Sequence, residues 1–102
     1  MKIYANKRGK TLQLKLVGEL DEHSAKNARR ETDEQADNFI GVERAVLDLS
    51  EVAFMDSTGI GFLIGRYKKF QRLGIPLYIA SPSQSTDKIL LMSGVYTLIP
   101  KI

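Results

Sequence analysis

The sequence predicts an α/β fold on a mixed β-sheet, and three patterns carry that reading. Leu12, Leu14 and Leu16 alternate with Gln13 and Lys15, the period-2 signature of a half-buried strand. Residues 45–49, Ala-Val-Leu-Asp-Leu, form the nearly unbroken apolar run of a central parallel strand. Ile60, Leu63, Ile64, Tyr67 and Phe70 recur at spacings of three and four, the period of an amphipathic helix. Strands that alternate with helices imply parallel pairing and a sheet covered by helices.

Taken in order, Lys2 to Ala5 is a short strand joined to the Leu12–Leu16 strand by the turn Asn6-Lys7-Arg8-Gly9, so the sheet opens with an antiparallel hairpin. Gly18-Glu19-Leu20-Asp21 ends the second strand. Asp21 or Ser24 can cap the helix that follows, and Glu22 suits its first turn. From Ala25 to about Asn38 the pattern is helical, with a thin apolar stripe of Ala25, Ala28 and Ala36 followed by Phe39, and a charged face for water. After the 45–49 strand, Val52 to Met55 is a second apolar run leading into a turn. The Ile60–Phe70 helix stops at Gly74, after Lys68, Lys69 and Arg72 in its last turns. Pro76 to Ala80 is a strand opened by proline, and Ser81-Pro82-Ser83 introduces a helix from Thr86 to about Ser93, closed by Gly94. Leu98 and Ile99 supply a last short extended piece. The predicted order is β-β-α-β-α-β-α-(β).

Composition bounds the chemistry. At 102 residues the chain is one small domain, and at that size a folded chain buries roughly 65% of its unfolded surface, enough for a core without staples. There is no Cys, which removes disulfides, thiolate nucleophiles and Cys-based zinc sites, and the single His23 rules out a multi-His metal cage. The opening run MKIYANKRGK lacks the apolar core of a signal peptide, and no apolar stretch approaches the ~20 residues of a membrane span. The expectation is a soluble cytoplasmic protein. A formal charge of +3 is too small to argue for nucleic acid.

The chemistry concentrates at Phe54-Met55-Asp56-Ser57-Thr58-Gly59-Ile60-Gly61, where a strand gives way to a helix. Free N–H groups and the positive end of the helix dipole meet there, so an anionic group on Ser57 finds donors ready-made. Asp56, Ser57 or Thr58 equally serves as a plain N-cap. Gly59, Gly61 and Gly65 each cost about 0.5–1 kcal/mol against Ala in a helix, which suggests that something approaches the backbone closely or that the helix packs tightly on the sheet. Gly59-x-Gly61-x-x-x-Gly65 is one residue too long for the dinucleotide pattern, no phosphate-binding loop motif is present, and Ser57 lacks the glycines of a nucleophile elbow.

With these residues, and with Gly65-Arg66-Tyr67-Lys68 following, the segment resembles the phosphorylation segment of bacterial anti-sigma factor antagonists, the STAS domain family. Gly18-Glu19-Leu20-Asp21 is similar to that family's second signature and Met92-Ser93-Gly94 to a third, all in family order over residues 1–102. The Gly-Arg-Tyr-Lys match looks most like the sporulation-type antagonists, with the general stress-response type, or another STAS signalling scaffold, as alternative. The resemblance implies a partner switch. The unphosphorylated protein binds an anti-sigma factor that is also a serine kinase of the GHKL ATPase fold, and so frees a sigma factor. The kinase, using its own ATP and Mg, phosphorylates the motif serine, which maps to Ser57, and a PP2C-type phosphatase reverses the step. The partner surface implied comprises Asp21, Asp56, Ser57, Thr58, Gly59 and Gly61, with no cofactor, no metal, no catalytic residue, no direct nucleic acid and no membrane. The chain departs from the family by ending at Ile102, where a C-terminal helix is usual, by an Ala-rich first helix, and by Val95 after Ser93-Gly94.

Two other readings compete. A small hydrolase would use Ser57 with Asp56, but a carboxylate adjacent in sequence is rarely oriented as base for its neighbour, and a triad would need His23. Nucleic-acid binding would use Arg66, Lys68, Lys69 and Arg72, set against their reading as a solvated helix face with a favourable dipole.

Overall fold

A computed structural model describes all residues from Met1 to Ile102. Strands β1 (Lys2–Arg8), β2 (Thr11–Leu20), β3 (Arg44–Met55) and β4 (Leu77–Ala80) form one sheet in sequential order, with helices α1 (Ala25–Asn38), α2 (Ser57–Arg72) and α3 (Gln84–Ser93). β1 pairs antiparallel with β2, and β2–β3 and β3–β4 are parallel. The α/β mixed sheet expected from the sequence is therefore the observed architecture, with the helices in the expected order.

The hairpin is tighter than the sequence suggests. β1 runs through Asn6, Lys7 and Arg8 to an Arg8–Thr11 pair, leaving Gly9 and Lys10 as a two-residue turn. Of the two only Gly9 has positive φ, at +58°, the arrangement that matches the twist of the flanking strands. The alternation in β2 holds, with Leu12, Leu14, Leu16 and Leu20 all fully buried.

The two crossovers β2-α1-β3 and β3-α2-β4 step across the sheet in one direction. Right-handed connection of both places α1 and α2 on the same face, where they pack on each other. α1 buries only Ala28, Thr32 and Ala36, so it lies close to its neighbours. Thr32, which apolar patterning passes over, returns its hydroxyl to the Ala28 carbonyl at 2.8 Å and is thereby satisfied inside the core.

Four further expectations are corrected. Val52 to Met55 is not a separate run but the end of β3, which continues from Arg44 without a break because it stays paired to β2 up to Leu20–Met55. Ser24 takes the N-cap position of α1, as expected, with its C=O accepting from Ala28 N–H at 3.0 Å, but neither its side chain nor that of Asp21 bonds a helical N–H. Leu98 and Ile99 are not extended. Val95–Thr97 form a 3₁₀ turn after the left-handed Gly94 (φ +76°), and the extended contact comes later, where Ile79 N–H donates to Pro100 O and Ile102 N–H to Ile79 O, both at 2.9 Å. Finally, Arg66 is not part of a solvated face. Its side chain is 3% exposed, with Nε 2.8 Å from Asp33 Oδ1, Nη2 donating to Asp33 Oδ2 at 3.3 Å, and the guanidinium over the Phe62 ring.

Candidate functional site

Parallel pairing brings the two acidic signatures together. Leu20 and Met55 are partners at the carboxyl ends of β2 and β3, so Asp21 and Asp56 leave the sheet side by side, on strands about 4.8 Å apart. Two register shifts, at Lys15/Val17 and Gly18/Glu19, lie between the strand starts and this point. In open parallel sheets, the carboxyl ends of the strands are where ligands and partners are met.

Each carboxylate organises the chain beyond its strand. Asp56 is the N-cap of α2, its Oδ1 accepting from Thr58 N–H at 2.9 Å. Asp21 Oδ1 accepts from His23 N–H at 2.9 Å and Ser24 N–H at 3.1 Å, while Ser24 Oγ donates to Glu19 O at 2.7 Å. The Ser24 backbone bond foremost, and then that from His23, hold the Asp21 carboxyl below the ordinary carboxylate range. Both carboxyl groups are thus held in place at one rim.

Ser57 follows Asp56 directly at this rim. It is the first residue of α2 and exposed, and its hydroxyl bonds to no protein atom. Thr58 is half-buried behind it. The N-cap role therefore falls to Asp56 and leaves the Ser57 hydroxyl without a structural partner. A base is not aimed at Ser57: Asp56 Oδ1 is engaged with Thr58 N–H, and His23 points to Glu22 Oε1, 3.8 Å away, with 87% of its side chain exposed. The hydrolase reading loses its geometry.

The three glycines have different reasons. A Cβ on Gly59 would sit 2.4 Å from Met55 Cγ and 3.3 Å from Leu20 O, so this glycine allows α2 to start hard against the two strand ends. Gly61 and Gly65 have no such neighbour, since a Cβ there would meet open space. Tight helix-on-sheet packing accounts for the first alone. The third signature, Met92-Ser93-Gly94, lies elsewhere and closes α3: Ser93 Oγ donates to Leu90 O and accepts from Val95 N–H, with Gly94 in the left-handed region.

The nucleic-acid cluster is not one surface. Arg66 is consumed by Asp33, and Lys69 pairs with Asp37 at 2.9 Å, so two of its four cations tie α2 to α1. The sequence reading missed Asp33, because a carboxylate on a charged helix carries no sign of its partner. It also missed Lys26 and Arg29, exposed on α1 alongside Gly61 and Gly65.

Comparison with known proteins fits this geometry. The chain is 34% identical over 89 residues to an anti-sigma F factor antagonist of Paenibacillus polymyxa, spanning 87% of this chain and 75% of the relative. It is 29% identical over 86 residues to another, of Lysinibacillus sphaericus, spanning 83% and 72%. The unphosphorylated form of the anti-sigma factor antagonist SpoIIAA shares the fold at a TM-score of 0.76 and 22% identity, over 99% of this chain and 88% of the other. A putative anti-sigma factor antagonist of Thermotoga maritima reaches a TM-score of 0.84 at 16% identity, over 97% and 84%. Residues 2–102 match the STAS domain, so the sheet order, the paired strand ends and the exposed serine at the head of α2 are those of a chain that belongs to the STAS domain family.

Proposed function

We propose that the protein is an anti-sigma factor antagonist of the sporulation type. Unphosphorylated, it binds an anti-sigma factor that is also a serine kinase; phosphorylation of Ser57 ends that binding, and a PP2C-type phosphatase restores it. The protein is a substrate and binding module, acting in the cytoplasm, with no catalysis or cofactor of its own. The observation that carries this reading is Ser57 itself, exposed and unbonded at the start of α2, directly after Asp56 and at the end of the strand paired with the one that leads into Asp21. The names of the two relatives support it.

The physics of the switch is local. A phosphate adds about −1.5 to −2 charges at pH 7, and the N-terminus of α2 tolerates an anion. Asp21 and Asp56 already make this rim negative, so the added charge deepens one potential without moving the backbone. A partner surface fitted to a hydroxyl then meets bulk and like charge, which costs several kcal/mol and is enough to release a complex.

The test is to mix the protein with the anti-sigma F factor of Paenibacillus polymyxa and Mg-ATP and to locate phosphate by mass spectrometry. Phosphate is expected on Ser57 alone. Ser57→Ala should take up none yet still bind, and Ser57→Asp should bind about tenfold or more weakly. Phosphate on another residue in Ser57→Ala would end the assignment.

A further inference from the structure

Ser24 occupies the N-cap position of α1, yet its side chain gives the helix nothing. A serine there ordinarily turns its oxygen to the N–H of the second or third helical residue, here Lys26 or Asn27. In this chain the hydroxyl turns back to the end of β2. Ser24 Oγ donates to Glu19 O at 2.7 Å and accepts from Asp21 N–H at 3.1 Å, so it bridges the residues on either side of Leu20. Asp21 answers with Oδ1, which accepts from Ser24 N–H at 3.1 Å and His23 N–H at 2.9 Å, and with its C=O, which accepts from Ala25 N–H at 2.9 Å. The amide, the carbonyl and one carboxylate oxygen of Asp21 are thus all engaged by residues 23–25, and Oδ2 accepts from no protein donor. The other rim carboxylate is oriented differently. Asp56 is followed at once by α2 and takes its direction from capping that helix. Asp21 is separated from α1 by Glu22, His23 and Ser24, so no helix start holds it.

From this we infer that Ser24 is the positioning residue of Asp21: its hydroxyl locks the chain from Glu19 to Asp21, fixes the carboxylate through Oδ1, and leaves Oδ2 as the oxygen free for the partner. The inference rests on the antagonist reading above and deepens it. The forgone cap is what favours this role over a purely structural one. Turned to the helix, the hydroxyl would stabilise α1; turned to the strand end, it serves the one residue of this turn that belongs to the partner surface. No other side chain does the same work. Glu19, His23, Asn27 and Glu31 line the hollow shared by Asp21 and Ser24, and none of their side chains bonds the Asp21 carboxylate. A carboxylate already ordered in the free protein does not lose that freedom again on binding, so the bonds that hold it contribute to affinity without touching the partner.

A double-mutant cycle tests this, read by calorimetric titration against the Paenibacillus polymyxa anti-sigma F factor and by NMR titration of the Asp21 carboxyl in the free protein. Ser24→Ala is expected to weaken binding about fivefold and to move the Asp21 titration up toward the ordinary carboxylate range. Asp21→Asn is expected to weaken binding about tenfold or more. Adding Ser24→Ala to Asp21→Asn should cost less than about a further twofold, since a residue that acts through Asp21 then has nothing to act on. Ser24→Thr, which keeps the hydroxyl, should return affinity to within about twofold of wild type and return the Asp21 titration with it. Losses that add in the double variant would overturn the inference by giving Ser24 a role apart from Asp21. An Asp21 titration that Ser24→Ala leaves unmoved, or binding that it leaves unchanged, would overturn it while the antagonist function stands. No wild-type binding at all would remove both.

Discussion

At the residue scale the site is a division of labour among neighbours. Asp56 caps α2, a role worth about 1 kcal/mol, and by doing so releases Ser57 from any structural duty. Gly59 and Gly61, two positions apart, answer to opposite constraints. Gly59→Ala gains about 1 kcal/mol of helix propensity at most but drives a methyl into Met55 and Leu20 O, so we expect a net loss of about 1–2 kcal/mol. Gly61→Ala meets nothing and should gain about 0.5–1 kcal/mol. Urea denaturation of the two variants reads the difference directly, and equal midpoints would contradict the packing of α2 on the strand ends.

At the element scale, two ion pairs tie α1 to α2 across a narrow apolar contact. The stripe of Ala28, Thr32 and Ala36 is narrow, and Arg66–Asp33 and Lys69–Asp37 fasten the two helices across it. Burial pushes the Arg66 guanidinium below its ordinary value and Asp33 opposes that, which shows how far the charge depends on this one carboxylate. Removing Asp33 leaves a buried uncompensated cation. Asp33→Ala should cost about 2–4 kcal/mol, whereas Arg66→Met, which keeps the volume and discards the charge, should cost distinctly less. A larger loss for Arg66→Met in chemical denaturation would refute this account.

At the scale of the whole molecule, the C-terminal segment is clamped to α3 and β4. Tyr96 donates to Asp87 Oδ1 at 2.6 Å, and Lys101 donates to the same oxygen at 3.0 Å. Tyr96 first and Lys101 second hold the Asp87 carboxyl below its ordinary value, while burial and then Asp87 raise the Tyr96 phenol. A carboxyl depressed in the folded state stabilises above its unfolded value and loses that stabilisation as pH falls through the folded one. A phenol raised in the folded state stabilises below its unfolded value and loses it as pH rises. The clamp therefore works between about pH 4 and pH 10. Asp87→Asn should flatten the acid limb of unfolding midpoint against pH, leaving the part due to Asp21. Much of this molecule was legible in the sequence: period-2 leucines gave β2, the apolar 45–49 run gave the centre of β3, and Gly74 and Gly94 marked helix ends, because these signals are local. Ser57, Asp56 and Asp21 were legible as a motif by resemblance. The Arg66–Asp33 pair, the place of Lys26 and Arg29 alongside Gly61 and Gly65, and the Ile79–Lys101 bridge were not, since each joins segments whose approach depends on the finished fold.

The two register shifts between β2 and β3 have a consequence for how the rim is specified. Partners are offset by 33 residues at Thr11–Arg44 and by 35 at Leu20–Met55. Each shift alone would exchange the faces of everything beyond it; two in succession restore the original facing, because side chains alternate with period two. Leu20 and Met55 thus still point into the core, yet the chain has advanced by one full pleat, and the neighbour of Asp21 is Asp56 where an unshifted ladder would have offered the half-exposed Phe54. The charge pattern presented to a partner is in this sense a counting result.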